Sequence, residues 1–274
     1  MPSPTQITVS QLSRLIGTPN APHIVDISID DDFNADPRFI PTAYRYPYPH
    51  KDITALAPKL QGQRVVVICQ MGIKLSQGGA AILRDAGIAA ESLEGGNFGW
   101  RDSNEPLVPA EKIPARNADG RTVWVTRQRP KIDRIACPWL IRRFIDPNAL
   151  FLFVSPPEVM GVAERYNATP FDVEDVFWSH RGDRCTFDTM IEEFKLESEP
   201  LERLATIVRG ADTNRHDLAP EAAGLLAASL GLSRVYRDDL EQLEAGMTLY
   251  DAFYRWARDA TDEGHDWPAA STRS

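Results

Sequence analysis

The sequence predicts two domains of different class: an α/β domain with a parallel sheet over residues 1–105, and an α+β, mostly helical domain over residues 122–274. Three observations carry this expectation. Short β-branched runs alternate with amphipathic stretches in the first hundred residues. A proline- and polar-rich segment, residues 106–121, then reads as a linker. From about residue 186 onward the apolar spacing is helical. A length of 274 residues also suits two domains better than one.

Taken in order, residues 10–16 (SQLSRLI) read as a short amphipathic helix with Ser10 as N-cap. Residues 23–27 (HIVDI) read as a buried strand. Residues 30–49, acidic and then rich in Pro and Tyr, read as loop. Arg64 to Ile68 is a continuous apolar run, as in a strand covered on both faces. Residues 76–86 have helical spacing, with Gly87 placed to terminate them. Residues 90–94 form a last strand before a Gly95-Gly96 turn.

Beyond the linker, residues 122–126 and 151–154 read as strands, and a helix is expected from Cys137 with Pro138 at its first position. Later helices are expected from Glu199 to Gly210, from an Asp217 cap to about Gly231, and around Leu249, Ala252, Phe253 and Trp256, which share one face.

Composition excludes several functions. Net charge is −9, which disfavours generic nucleic-acid binding, and no helix-turn-helix pattern is visible. No apolar run is long enough to span a bilayer, and the first residues lack the pattern of a secretory leader. Three cysteines, Cys69, Cys137 and Cys185, are too few and too odd for a disulfide framework and fit a reducing cytoplasm. Charge is uneven. Residues 121–150 carry seven Lys/Arg against two Asp/Glu, and residues 172–199 carry nine Asp/Glu against three Lys/Arg. The two runs either neutralise each other as salt bridges or line separate anion and cation sites.

The first chemical motif is CQMGIKLS, residues 69–76. A thiol at a strand end, ahead of a helix start and a lysine, suits thiolate chemistry, because orphan amides and positive charge favour an anion there. Gly72 lets the loop bend. This loop resembles the six-residue C-x-x-G-x-[KR] loop of the rhodanese family, and the resemblance covers roughly residues 5–102. Ile24-Val25-Asp26, Phe39-Ile40-Pro41-Thr42-Ala43 and Leu93-Glu94-Gly95-Gly96-Asn97-Phe98-Gly99-Trp100 are similar to further family segments in the same order. Ser28 stands where the family often has Arg, Phe39 and Thr42 replace a His and a Gly, and Leu75 follows Lys74 where Ser is common.

The resemblance implies a rhodanese-like fold and sulfane-sulfur transfer. Cys69 and Lys74 would be catalytic; Gln70, Met71, Gly72, Ile73 and Asp26 would surround the bound anion. It also implies a small sulfur donor, a thiol or other nucleophilic acceptor, and no cofactor in this domain. A phosphatase on the same fold would need a longer loop ending in Arg. The plain alternative is a module in which Cys69 is incidental.

The second half is similar to the chromate-resistance ChrB-type domain. Residues 124–147, Thr169–Val173, Ser179–Gly182, Cys185–Asp188 and Ile207–Thr213 carry the likeness. It implies a role in chromate resistance without defining the chemistry. Arg127, Arg129 and Arg134 belong to a basic cluster suited to a tetrahedral oxyanion such as chromate or sulfate.

His180, Asp188, Glu192 and Asp212 form a metal-like set for Mn, Fe or Zn, with Cys185 and His216 nearby in sequence. Asp188 and Glu192 are placed to share one helix face if Thr186 caps it. The competing explanation is local: Asp188 serves the helix dipole, and Thr189 with Glu192 makes a capping box. Cys137, expected at a helix N-cap near Arg134, is either a reactive thiol or a buried apolar one.

Three functions follow. The first is a cytoplasmic sulfurtransferase-like protein carrying sulfur on Cys69, tied to chromate or oxidative stress through its second domain. The others are a non-catalytic oxyanion- or metal-binding sensor, and a metal-dependent redox enzyme in the second domain.

Overall fold

The computed structural model describes residues 4–264, so the outer ends expected for the two domains lie outside the described residues. The first domain runs β1 (Gln6–Ile7), α1 (Val9–Leu15), β2 (His23–Asp26), α2 (Asp30–Ala35), β3 (Arg38–Phe39), β4 (Tyr44–Arg45), α3 (Ala57–Leu60), β5 (Arg64–Ile68), α4 (Lys74–Asp85), β6 (Ala89–Leu93) and α5 (Gly96–Asp102). Five strands form one parallel sheet in the order β1-β6-β5-β2-β4.

The β5 run explains why both faces are covered. Val65 and Val67 enter one apolar cluster and Val66 and Ile68 another, as a two-residue period requires.

Three boundaries differ from expectation for local reasons. Helix α1 starts one residue earlier, because Thr8 rather than Ser10 caps it and forms a reciprocal box with Gln11. Residues 30–49 are not all loop: Asp30, Asp31 and Asp32 occupy the first turn of α2, where acidic charge favours a helix start, and β4 adds an edge strand to the sheet. Helix α4 begins at Lys74, with Gly87 in the left-handed region two residues past its end.

Residues 106–121 are bonded on both sides. Strand β7 (Val108–Pro109) pairs antiparallel with β3, Lys112 meets Glu193 at 2.7 Å, and Arg116 meets the buried Asp146 at 3.0 Å.

The second domain runs β8 (Val123–Arg127), α6 (Asp133–Leu140), a π-helical turn (Ile141–Ile145), β9 (Leu150–Val154), α7 (Val159–Tyr166), β10 (Thr169–Pro170), α8 (Thr186–Glu193), α9 (Glu199–Asp212), α10 (Glu221–Val235) and α11 (Asp239–Asp259). Its three strands are parallel, in the order β10-β8-β9.

Pro138 does not open a helix: α6 starts at Asp133 and carries Pro138 inside it. A proline there removes one N–H that the helix would otherwise use, and the chain passes into the π-helical turn three residues later. Cys137 is therefore mid-helix and fully buried, with its thiol pushed well above the ordinary range by burial, so the reactive N-cap reading fails. Gly210 does not end α9. A side chain there would crowd the Ala222 Cβ at 2.9 Å and the Arg215 carbonyl at 3.0 Å, so the glycine serves close packing. Helix α10 likewise runs past Gly231. It starts beyond Pro220, and Asp217 lies in a separate 3-10 turn.

One apolar cluster joins the domains, running from Ile7, Leu12 and Ile16 to Trp139, Phe144 and Tyr254. The Thr42 amide donates to the Phe144 carbonyl (2.8 Å), and Arg258 donates to the Arg14 carbonyl (3.2 Å). Gly17, at φ +79°, lies where a Cβ would meet Phe144 at 2.6 Å and Tyr254 at 2.7 Å. No helix among the described residues is long and apolar enough to cross a membrane.

Candidate functional site

Two sites lie at the carboxyl edges of the two parallel sheets, where strand ends and helix starts converge. At the first, Cys69 follows β5 and is 4% exposed. Its Sγ lies 3.2 Å from the Ser76 Oγ, two residues into the following helix α4, and that hydroxyl in turn reaches the Ile73 carbonyl (3.2 Å).

The loop between them is held by backbone. The Asn97 amide donates to the Cys69 carbonyl and the Phe98 amide to the Gln70 carbonyl, both at 3.0 Å. Gly72 (φ +68°) and Gly96 (φ +58°) face each other so closely that a Cβ on either would strike the other's backbone, and one on Gly96 would also strike the Cys69 carbonyl. The Gly95-Gly96 turn and the cysteine loop are therefore one unit. Among the described residues, none accepts a hydrogen bond from the amides of Met71, Gly72 or Ile73. Met71, Ile73 and Lys74 are exposed at the rim.

Asp26 ends β2, beside Ile68 in register, and is buried. Its Oδ1 accepts from the Ser28 amide (2.9 Å) and hydroxyl (2.6 Å), and Asn97 Nδ2 donates to that hydroxyl (3.3 Å). Burial raises the Asp26 carboxyl above its ordinary value despite these bonds. Where the family arginine is replaced by Ser28, Arg45 on the neighbouring strand β4 brings a guanidinium to the Ser28 carbonyl (2.7 Å) and to Asp30 (2.5 Å).

The second site gathers side chains from five segments. Arg127 ends β8, Asp133 opens α6, Asp172 follows β10, His180 lies in the loop before α8, and Asp212 ends α9. His180 Nε2 stands 3.4 Å from Asp133 Oδ2, 3.4 Å from Asp172 Oδ1 and 3.3 Å from Asp212 Oδ2. Asp133 is fully buried, whereas the His180 side chain is 40% exposed. Thr186 braces the floor: its amide donates to Asp133 Oδ2 (2.6 Å) and its hydroxyl to Asp172 Oδ1 (2.9 Å).

Burial pushes the Asp133 carboxyl up to about 7, against the opposing bond from His180. The bonds to Asp133, then Asp172 and Asp212, push His180 up to about 12. Burial opposes the Asp172 carboxylate, yet His180, Thr186, Arg134 and Arg127 together bring it below its ordinary value. Ile132, just ahead of Asp133, has φ +39° and ψ −100°, an unfavourable conformation for a β-branched residue.

Residues 124–257 match the family described as ChrB, C-terminal domain, and residues 8–103 match the Rhodanese-like domain family. The chain joins a rhodanese-like domain to a ChrB C-terminal domain. Protein ChrB of Cupriavidus metallidurans is 35% identical over 175 residues, covering 57% of this chain and 50% of its own length. The chain thus spans about half the length of that curated relative. Among solved structures, a rhodanese-related protein of Thermoplasma volcanium is 20% identical, with 38% of this chain and 96% of that one covered and a TM-score of 0.29. A rhodanese-like domain protein of Staphylococcus aureus is 23% identical, with 35% and 90% covered and a TM-score of 0.29.

In the rhodanese-like domain the expected residues Cys69, Gln70, Met71, Gly72 and Ile73 form one loop closed by Lys74 at the start of α4, and Asp26 ends the adjacent strand β2, in register with Ile68 just before Cys69. In the ChrB domain the structure divides the expected sets. Of His180, Asp188, Glu192 and Asp212, only His180 and Asp212 come together. Asp188 is held elsewhere, accepting from the Cys185 amide (3.0 Å) and from Arg209 (2.7 Å). The helix cap is thus Cys185 with Asp188, not Thr186 or Thr189 with Glu192. Glu192 pairs with Arg184 at the surface.

Arg127 and Arg134 both contact Asp172, so part of the basic run does neutralise the acidic one. Arg129 turns away, donating to the carbonyls of Ser233, Tyr236 and Arg237 at the end of α10. Asp133 and Asp172 were not given roles by the sequence. The available signal was position: each closes a strand-to-helix or strand-to-loop turn at the sheet's carboxyl edge.

Proposed function

We propose that this protein is a sulfurtransferase-like carrier of sulfane sulfur, working in chromate or oxidative-stress resistance. One observation supports the chemistry above the rest. Cys69 follows β5 inside a loop whose amides at residues 71–73 have no acceptor among the described residues, beside the start of the twelve-residue α4. A thiolate, and the persulfide that replaces it, are anions that such amides stabilise.

In the forward half-reaction the Cys69 thiolate attacks the outer sulfur of a small donor such as thiosulfate. A new S–S bond forms at Cys69, the donor's S–S bond breaks, and sulfite departs with the electron pair. A thiol or other nucleophile then attacks the outer sulfur, and the Cys69 thiolate leaves. Ser76 Oγ accepts from the Cys69 thiol at 3.2 Å while its own proton lies on the Ile73 carbonyl; once the thiol ionises, that hydroxyl would turn its proton to the thiolate, and Lys74 adds positive charge at the rim. The link to chromate comes from the likeness of the second domain to ChrB. Three free, buried cysteines fit a reducing cytoplasm.

Thiosulfate:cyanide sulfur transfer tests the reading, together with intact mass after thiosulfate treatment. The expected result is turnover, and one added sulfur atom that Cys69→Ala removes. Equal turnover in Cys69→Ala would sink it.

A further inference from the structure

We infer that Asp133, His180 and Asp212 form a site for one first-row divalent metal ion in the ChrB domain. The inference is independent of sulfur transfer at Cys69. Donor atoms from these three residues lie within 4.8 Å of one another. The separations of His180 Nε2 from Asp133 Oδ2 and Asp212 Oδ2 are 3.4 and 3.3 Å. Asp172 Oδ1 also stands 3.4 Å from Nε2, but it is held by the Thr186 hydroxyl, its carboxylate faces Arg127 and Arg134, and it lies outside the set whose donors are all mutually close, so the two separations named are the ones that bear on an ion. Without an ion these two contacts serve as hydrogen bonds from the imidazole, and their lengths also match the edge of a coordination tetrahedron: with bonds of about 2.0–2.1 Å, neighbouring donors stand about 3.3–3.4 Å apart.

A second observation is independent of that geometry. Asp133 is 0% exposed, and its Oδ1 is buried without any hydrogen-bond partner. An oxygen of a buried carboxylate is costly to leave unpaired. Its other oxygen is committed to the Thr186 amide and faces His180, so the carboxylate is fixed in place as a ligand must be.

The donor set selects the ion. An imidazole with two carboxylates suits Mn2+, Fe2+ or Zn2+, whereas Mg2+ and Ca2+ prefer oxygen alone. Three protein donors also leave coordination positions open, the mark of a working rather than a purely structural centre. The open side is the solvent side, because the His180 and Asp212 side chains are 40% and 20% exposed. Asp172 holds Arg127 and Arg134 beside it, which suits an oxyanion or a water as the remaining ligand.

The test uses the full chain, stripped with chelator and titrated calorimetrically with Mn2+, Zn2+ and Mg2+. One equivalent of Mn2+ or Zn2+ is expected, at least tenfold tighter than Mg2+. His180→Gln and Asp212→Asn, both on the exposed side, should each weaken it by about a hundredfold or more while circular dichroism stays unchanged. Asp133→Asn should do the same if it folds, and Glu192→Gln should bind as the parent does. Absence of stoichiometric Mn2+ and Zn2+ binding, or parental affinity in His180→Gln and Asp212→Asn, would overturn the assignment. So would loss in Glu192→Gln with retention in Asp212→Asn.

Discussion

The cysteine loop and the His180 cluster occupy equivalent places, each at the carboxyl edge of a parallel sheet, yet they are built from opposite materials. The loop is backbone: two facing glycines, free amides and one thiol, contributed largely by eight consecutive residues. The cluster is side-chain charge, drawn from residues 127 to 212 and braced by one threonine. A backbone site tolerates little change in shape. A charge site depends on the identity of a few groups.

The largest expected effect is at the thiol. Cys69→Ser should reduce sulfur transfer to background, whereas Cys185→Ala, which removes a buried thiol far from the loop's bonding, should retain sulfur loading on Cys69 by intact mass. Transfer that depends on Cys185 would break the division of labour between the sites.

Shape comes next. Gly96→Ala should destabilise the protein by about 2–4 kcal/mol, combining overpacking against the loop with a left-handed φ, and should cost sulfur transfer as well. Gly62 also has positive φ but open space around it, so Gly62→Ala isolates the backbone term at about 1 kcal/mol. Urea midpoints for the pair measure the difference, and equal midpoints would show that the glycine contact is slack.

A smaller effect is expected where α11 grips the second domain. Asp251 accepts a two-pronged bond from Arg143 (2.7 and 2.8 Å) and one from the Trp139 ring N–H (2.8 Å). Asp251→Ala should cost about 2–3 kcal/mol by leaving partly buried donors unpaired, read from the same urea titration.

The smallest is pH-dependent. Lys112 holds the Glu193 carboxyl below its ordinary 4.5, chiefly through their hydrogen bond. A depressed carboxyl contributes stability above the unfolded value and loses it as pH falls through the folded one. Lys112→Met should therefore lower stability near neutral pH by under about 1 kcal/mol, and the gap should close below pH 4.5 as Glu193 protonates. A gap that persists in acid would assign the effect to packing.

This contrast also explains what could be read from the sequence. The rhodanese-like half was legible because its site is contiguous and β5 carries its own signal; Arg64 to Ile68 emerged with the expected bounds. The role of Arg45 was not, since it depends on β4 lying beside β2, a pairing across an apparently loop-like stretch.

In the ChrB half, His180 and Asp212, expected in one set by residue type, do lie side by side, whereas Asp188 and Glu192 entered that set by helix spacing and lie elsewhere. Spacing says which residues share a face and not what the face meets: Asp188 meets its own cap and Arg209. Asp133 stayed hidden because Pro138 reads as a helix start, which left Asp133 in an assumed loop one turn too early.

The Gly17 contact has a consequence for inheritance. A rhodanese-like unit brought in from another gene would need glycine at this position, because any side chain there would collide with Phe144 and Tyr254. The two halves are therefore not interchangeable parts. Recombination at the junction would have to be followed by mutual adjustment of both partners, and substitutions at Gly17, Phe144 and Tyr254 should travel together through the lineage.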